Sequence, residues 1–432
     1  MSTLPNPMAL ALQLAYQAGA WASPNPMVGC VIARPQGEGQ WEVLAHGYHE
    51  RCGLPHAEAR ALAMFRDLPA DRKDGAVLFV TLEPCNHTGR TPPCAQAIID
   101  SGIRAVEIAT ADPNPQAAGG AEALKAAGVR VGWGNLFDAA TELNAGFFKR
   151  TLEQRPLVVA KWAMTADGKI ATAKGDSRWI SGPAARAGVM RLRATCDAVL
   201  VGIGTALHDD PQLTARIEGA HQPLRIIVDT HGRLPATANV LHGPGSRKMP
   251  DPLARGVDAA NAPSSAEANP ALLPGIASGC VIATGPTVPS ETIHRWQETG
   301  AEAWSLPLFE GKVDLAHLME ELVRRRSIGS VLVEGGAGVL GSLFDRHLVD
   351  RVAVHVAPKI LGGAGPSAVA GQGAASMGEA TELVDSHFEQ IGEDILLVGK
   401  PRPWAWLAAW EVETRRRAAA TGRWTAPDSA SR

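Results

Sequence analysis

One imidazole and two thiols stand in this sequence as ligands suited to a single zinc ion: His56, Cys85 and Cys94. A catalytic zinc takes three protein ligands of this kind and leaves its fourth position to water, whose pKa it lowers to ~7. Glu58, two residues beyond His56, stays near the metal without serving as a ligand. It can take a proton from that water and deliver it to a ring nitrogen and a departing amine. A structural zinc would close its shell with a fourth Cys or His, and His87 or Cys52 stands close enough in sequence to serve. Glu58 would then have no task, which favours the catalytic reading.

The ligands fall where helices should begin. Apolar periodicity marks helices over 56–65 and 94–101, with His56 and Cys94 at their starts. Helix N-termini expose N–H groups and a positive dipole end, which stabilise thiolates. Zinc deaminases carry H-x-E with P-C-x-x-C; here H-x-E and P-C are kept, but eight residues separate the cysteines.

A second set of residues suits phosphate. Gly336-Ala337-Gly338-Val339-Leu340-Gly341 spells G-x-G-x-x-G behind an expected strand and ahead of a helix. It comes late in its domain, and Lys359 stands where a Rossmann fold would place an acid, so a Rossmann domain is disfavoured. A glycine-rich turn whose N–H groups meet a pyrophosphate at a helix start is the simpler account.

Two α/β domains should position these groups. In residues 1–150, strands are expected at 28–33, 42–48, 76–82, 105–110 and 129–133, with helices at 8–19, 56–65, 94–101, 120–127 and 137–148. That alternation argues for an α/β sandwich with a largely parallel sheet. The pattern resets near 149–156. A second α/β domain is expected over 155–400, with strands at 156–163, 198–202, 224–229, 280–284, 330–334, 351–357 and 394–398. Its helices are expected at 183–195, 291–299, 315–326 and 339–344. Residues 242–279, rich in Pro, Ala, Ser, Gly and Asn, read as a surface insertion. Residues 401–432 read as a partly disordered tail whose Trp404, Trp406, Trp410 and Trp424 could dock on the domain or on a partner.

With 432 residues, 45 % of them apolar and 20 % charged, the chain can bury a core in each domain. A net charge of −3 gives no case for nucleic acid or an anionic membrane as partner. The apolar start lacks the basic segment and cleavage site of a secretory signal, and no window holds ~18 uninterrupted apolar residues. A cytoplasmic protein is therefore expected. Six cysteines are too few and too scattered for a disulfide framework. Cys30, Cys52, Cys196 and Cys280 read as buried small hydrophobes.

Several stretches resemble the bifunctional riboflavin-biosynthesis deaminase/reductase family. They are Ser23-Pro24-Asn25-Pro26-Met27-Val28-Gly29, His46-Gly47-Tyr48-His49, His56-Ala57-Glu58, and Thr81-Leu82-Glu83-Pro84-Cys85 through Cys94. The resemblance runs over residues 8–400 and implies a cytidine-deaminase-like α/β/α sandwich followed by a dihydrofolate-reductase-like α/β domain. The implied first reaction replaces the ring amine of 2,5-diamino-6-ribosylamino-4(3H)-pyrimidinone 5′-phosphate by oxygen, with one catalytic Zn²⁺. The implied second reaction reduces the ribosyl group to ribityl with NADPH. Asn25 is implied to hold the pyrimidine, His49 and His87 to line the pocket, and Arg90 to lie near the ribose phosphate. By chemistry alone, Asn25 could equally cap a turn.

In the second half the match continues through Lys161-Trp162-Ala163-Met164-Thr165-Ala166-Asp167-Gly168, Gly175-Asp176-Ser177-Arg178-Trp179, Asp209 to Arg216, Asp229-Thr230 and Glu334-Gly335-Gly336. It implies cofactor contacts at Ala163, Trp179, Thr205, Asp209 and Thr230, and along Gly336, Ala337, Gly338, Val339, Leu340, Gly341 and Ser342. It implies substrate contacts at Ser177, Arg193, Leu213, Arg216 and Glu334. Lys161 and Asp167 are further candidates for polar support around the reacting sugar carbon. Thr230 stands where the family often has Ser, and Gly335 where it often has Ala. Residues 242–279 and the tail have no counterpart in the family core. A homo-oligomer is expected. The alternative is a zinc deaminase of another base or nucleoside whose second domain only binds ligand. The near-neutral charge and the long loop between the cysteines speak against it.

Overall fold

Alternating apolar strands and amphipathic helices resolve into two α/β units: residues up to Gln154 joined by those from Trp404, and Arg155–Pro403. A computed structural model describes residues 3–37, 39–88, 92–242 and 279–424. The insertion expected at 242–279 lies outside these apart from its end residues, as does the last stretch of the tail.

In the first unit one sheet runs in the order β1-β3-β2-β4-β5-β6-β18. Here β1 is Thr3–Leu4, β2 Gly29–Gly37, β3 Gln40–Tyr48, β4 Val77–Val80, β5 Ala105–Ile108, β6 Arg130–Trp133 and β18 Arg423–Trp424. Pairing is antiparallel from β1 to β4 and parallel from β4 to β18. The largely parallel sheet expected from the sequence therefore holds for one half only. A link as short as that between β2 and β3 admits nothing but an antiparallel pair.

Helix α1 (Pro7–Tyr16) is capped by Asn6, whose side chain accepts from the Met8 N–H at 3.0 Å. It crosses β2 so closely that a Cβ at Gly29 would lie 1.8 Å from the Ala11 carbonyl oxygen. Met8, Val31 and Phe79 pack together there. Helices α2 (Ala57–Arg66), α3 (Ala70–Lys73), α4 (Cys94–Asp100) and α5 (Gly120–Ala126) follow. The single helix expected at 137–148 is two, α6 (Phe137–Leu143) and α7 (Ala145–Glu153). Asn144 divides them: its side chain accepts from the Met27 N–H at 2.8 Å and donates to the Met27 carbonyl at 2.9 Å. The same contact pins the loop that carries Asn25.

The tail requires a correction. As far as Trp424 it belongs to the first unit, as helix α13 (Ala405–Thr421) and strand β18. Trp404, Trp406 and Trp410 are buried, with Trp404 stacked on Trp406 and Trp406 on Phe148. Removing several indoles from water offsets the entropy lost in ordering the helix.

The second unit is built on the sheet β11-β10-β9-β8-β14-β7-β15-β17-β16. Its strands are β7 (Leu157–Thr165), β8 (Ala198–Gly202), β9 (Leu224–Val228), β10 (Cys280–Thr284), β11 (Glu302–Ser305), β14 (Ser330–Val333), β15 (Arg351–Ala357), β16 (Val384–Ile391) and β17 (Asp394–Lys400). A small hairpin pairs β12 (Leu308–Phe309) with β13 (Lys312–Val313). Strands β11 through β15 run parallel, and β15, β17 and β16 pair antiparallel. Every residue of β8, β9 and β10 is buried, as in parallel strands covered on both faces. Helices α8 (Pro183–Thr195), α9 (Ile203–Asp209), α10 (Ser290–Glu298), α11 (Leu315–Arg326) and α12 (Ala337–Asp345) complete the unit. Among the described residues no helix is long and apolar enough to cross a membrane.

Candidate active sites

His56 is the residue that opens α2, Cys94 is the first residue of α4, and Cys85 lies on the loop after β4. Their ligating atoms all lie within 4.8 Å of one another. His56 Nδ1 is 3.6 Å from Cys85 Sγ and 3.3 Å from Cys94 Sγ, and the Cys94 backbone N–H donates to Cys85 Sγ at 3.4 Å. Hydrogen bonding from Cys94, opposed by burial and aided by His56, lowers the Cys85 thiol to about 4. The same bond drives Cys94 upward, and Cys85 raises His56. A ring nitrogen and two sulfurs this close make a donor set that zinc fits. Among the described residues the cluster holds these three donors alone. His87 is exposed on its loop and Cys52 is half-buried, and neither joins it.

On the first turn of α2, Glu58 is buried, and burial lifts its carboxyl to about 7 against the pull of His56. Asn25 and His49 come together beside the cluster. The His49 ring lies 5.4 Å from that of His56, its Nδ1 3.3 Å from the Pro55 carbonyl and its Nε2 3.1 Å from Asn25 Nδ2. A carbonyl only accepts, so Nδ1 carries the proton and Nε2 accepts from the Asn25 amide. Burial, the largest influence, lowers His49 to about 4 and keeps this neutral form. Arg90 falls outside the described residues.

The second unit holds a cavity of about 630 Å³. Lys161 and Ala163 of β7, Ser177, Thr205 and Asp209 of α9, Thr230 and Glu334 line it, together with Gly336, Ala337, Gly338, Val339, Leu340 and Ser342. Gly336 opens α12 with no capping side chain, which leaves N–H groups for an anionic ligand. A Cβ there would sit 3.1 Å from Thr205 Oγ1. This turn and volume fit a dinucleotide.

Several of the expected contact residues are not on this wall. Gly341 is not on the cavity wall; its missing Cβ makes room for the Ala370 carbonyl oxygen, which would stand 2.1 Å away. Trp179, 64 % exposed, lies under the Arg186 guanidinium and outside the wall. Arg193 is buried and grips Glu334 with two bonds of 2.5 and 2.7 Å, while its Nη1 donates to the Thr214 carbonyl at 3.0 Å. Its fork is engaged within the protein, not open to a phosphate. Leu213 is buried and Arg216 exposed, both with left-handed backbone and both off the wall. Asp167 organises a loop, accepting from Thr165 Oγ1 and from the Leu361 and Gly362 N–H groups. Lys161 is lowered by burial, against the raising effect of Glu334.

Family comparison settles what these sites belong to. Residues 1–110 match the cytidine and deoxycytidylate deaminase zinc-binding region, and residues 156–397 match the RibD C-terminal domain. The riboflavin biosynthesis protein RibD of Actinobacillus pleuropneumoniae is 37 % identical over 90 % of this chain and 93 % of its own. That of Aquifex aeolicus is 36 % identical over 91 % and 98 %. The solved Acinetobacter baumannii RibD superposes with a TM-score of 0.74 at 31 % identity, over 92 % of this chain and 98 % of that one. The chain belongs to the RibD family. It is a bifunctional enzyme of riboflavin biosynthesis, a zinc-dependent deaminase joined to an NADPH-dependent reductase. A further solved relative is the diaminohydroxyphosphoribosylaminopyrimidine deaminase/5-amino-6-(5-phosphoribosylamino)uracil reductase of Thermotoga maritima. It is 31 % identical, with a TM-score of 0.73 over 92 % of this chain and 98 % of its own.

Reasoning from residue types missed three features of this RibD-family chain. Glu83, buried two residues before Cys85, accepts from the N–H groups of Asp112, Gly119 and Ala121. An acid inside Leu82-Glu83-Pro84-Cys85, where neighbours are apolar, was the available signal. Arg233 and Lys312 add positive charge to the cavity wall; only Arg233, three residues after Thr230, had a motif beside it.

Proposed function

We propose that the first unit replaces the ring amine of a 2,5-diamino-6-ribosylamino-4(3H)-pyrimidinone 5′-phosphate by oxygen, and that the second reduces the ribosyl group of the product to ribityl. His56, Cys85 and Cys94 are the zinc ligands in this reading. One observation carries it: three soft donors within 4.8 Å of one another, with a buried carboxyl lifted to about 7 two residues from His56. Bound zinc makes a water nucleophilic at neutral pH. Glu58 would take one proton from that water to the ring nitrogen and then carry the second, from the attacking oxygen, to the departing amine, which leaves as ammonia. Neutral His49 orients the Asn25 amide, which leaves its second N–H and its Oδ1 to meet the pyrimidine edge. His87, exposed on the same loop as Cys85, lines the pocket in this reading.

NADPH supplies the hydride in the second unit. The uncapped start of α12 holds its pyrophosphate, while Arg233 and Lys312 draw its further phosphate. Ser177 and Lys161 of the cavity wall meet the sugar, and the exposed Arg216 reaches in from beyond that wall to the ribose phosphate. A cytoplasmic homo-oligomer completes the reading. Strand β16 is an open edge with Phe388 71 % exposed, the kind of edge that a second copy covers.

The test is to supply the diamino ribotide with and without NADPH and weigh the products. Ammonia should leave without NADPH, and two hydrogens should be added only when NADPH follows. Reduction of the diamino compound itself would reject this order.

A further inference from the structure

Helix α13 lies beyond residue 397, where the match to the reductase-domain family ends, yet it belongs to the deaminase unit. Its inner face reaches the segment that leads into the zinc loop. Arg417 Nη1 donates to Glu83 Oε2 at 3.1 Å and to the Asp112 carbonyl at 3.4 Å. Glu83 is two residues before Cys85, and its side chain is fully buried. Its Oε1 accepts from the Gly119 and Ala121 N–H groups and its Oε2 from Asp112 N–H. Three backbone donors leave that buried carboxylate without a formal counter-charge, and Arg417 supplies one. A second contact on the same helix anchors the same region: Trp410 Nε1 donates to Thr110 Oγ1 at 3.2 Å, and the Thr110 carbonyl accepts from the Glu83 N–H at 2.9 Å. At its far end the helix is fixed by Trp133 Nε1 donating to Thr421 Oγ1 at 3.0 Å.

We propose that Arg417 is a positioning residue for the deaminase, acting through Glu83 to hold the Pro84-Cys85 turn in ligating geometry, with α13 as the clamp that delivers it. The guanidinium itself is aligned by Glu413, which accepts from its Nε at 2.9 Å. The neighbouring Arg416 pairs with Glu413 as well but faces solvent and does not reach Glu83. The proposal rests on Cys85 being a zinc ligand.

The test uses the full chain, with Arg417→Met, Arg417→Lys and Arg416→Ala beside the wild type. Removing an outer partner of a ligating loop costs ~10–100-fold in metal affinity or activity. Arg417→Met should therefore lose zinc to a chelator ~10–100-fold more readily, shift the visible bands of the cobalt(II)-loaded protein, and lower the kcat of ammonia release. NADPH oxidation should stay within about twofold. Arg417→Lys should restore part of the cobalt spectrum and of kcat, and Arg416→Ala should match the wild type. Unchanged chelation and cobalt bands in Arg417→Met overturn the proposal, as does an equal loss in Arg416→Ala. Should Arg417→Met fail to fold, Arg417→Gln, which removes the counter-charge but keeps a donor for Glu83, is read in its place and should show a smaller loss in the same direction, with no change overturning the proposal; loss of both activities in both variants marks a merely structural arginine and also overturns it. A wild type that binds no cobalt would instead reject the zinc assignment beneath.

Discussion

On the reading proposed above, four side chains between positions 56 and 94 carry the deaminase chemistry: His56 and Cys94 at helix starts, Cys85 on a loop, and Glu58 on the first turn of α2. In the reductase unit, the cavity is walled by β7, α9 and the start of α12, and much of what faces it is backbone or small side chain. A metal centre needs particular atoms and tolerates almost no substitute. A dinucleotide cleft needs a shape and a row of N–H groups, which many sequences provide. Single changes should therefore be near-lethal in the first site and graded in the second.

Glu58→Gln is the hardest test of that contrast. It keeps the size of the side chain and removes its proton traffic, so ammonia release should fall by ~10²–10⁴-fold. Reduction of the already deaminated ribotide should be unchanged. A modest loss would mean that another group moves the proton and that the deaminase is no more sharply specified than its partner.

Next in size is Arg193→Met, which removes the two-pronged partner of the largely buried Glu334 and leaves Lys161 as its neighbouring cation. Breaking such a pair costs about 3–5 kcal/mol, so denaturation of the second unit should shift by that amount and NADPH oxidation should fall with it. Retained stability would show that the pair belongs to substrate binding alone. Acid probes the same unit without mutation. Burial lowers buried His221 to about 4, and burial, with Lys161 adding to it, does the same for His355. An unfolded His titrates near 6.5, so between those values the unfolded chain binds more protons. Stability is complete above pH 6.5 and declines as pH falls toward 4, by ~3 kcal/mol for a site like His221. Equilibrium unfolding across that range, compared with His221→Gln, should show a shallower slope in the variant.

The same contrast explains what the sequence made legible. The clustering of His56, Cys85 and Cys94 and the starts of α2 and α4 were readable because residue types and helix signals coincide within a short window. The buried strands β8, β9 and β10 were readable as unbroken apolar runs. Strand β16 was not, since it is exposed almost throughout and carries no alternation. Helix α9 was not, being seven residues long without a side-chain cap. The break at Asn144 depends on Met27, 117 positions away, and the engagement of Arg193 depends on Glu334, 141 positions away. Helix α13 gave a similar difficulty: its tryptophans show that something is buried but not that Phe148 is what they bury against.

The smallest effects separate two glycines of one motif. Gly336 and Gly341 both belong to the G-x-G-x-x-G run, yet they lack a Cβ for different reasons. At Gly341 an added methyl would meet the Ala370 carbonyl 2.1 Å away, a backbone atom that cannot step aside. Gly341→Ala should thus cost about 1–3 kcal/mol of stability by overpacking. Its NADPH KM should stay near normal in the fraction that remains folded. At Gly336 the methyl would stand 3.1 Å from Thr205 Oγ1, a hydroxyl that can turn away, so folding should be little changed. What suffers there is the approach of the cofactor to the start of α12. Gly336→Ala should raise the NADPH KM by ~3–10-fold with kcat at saturation preserved, the signature of lost uniform binding. If the two variants behave alike, the run is a single packing element and the pyrophosphate lies elsewhere on the wall. If they divide as argued, the motif holds one glycine for the ligand and one for the fold.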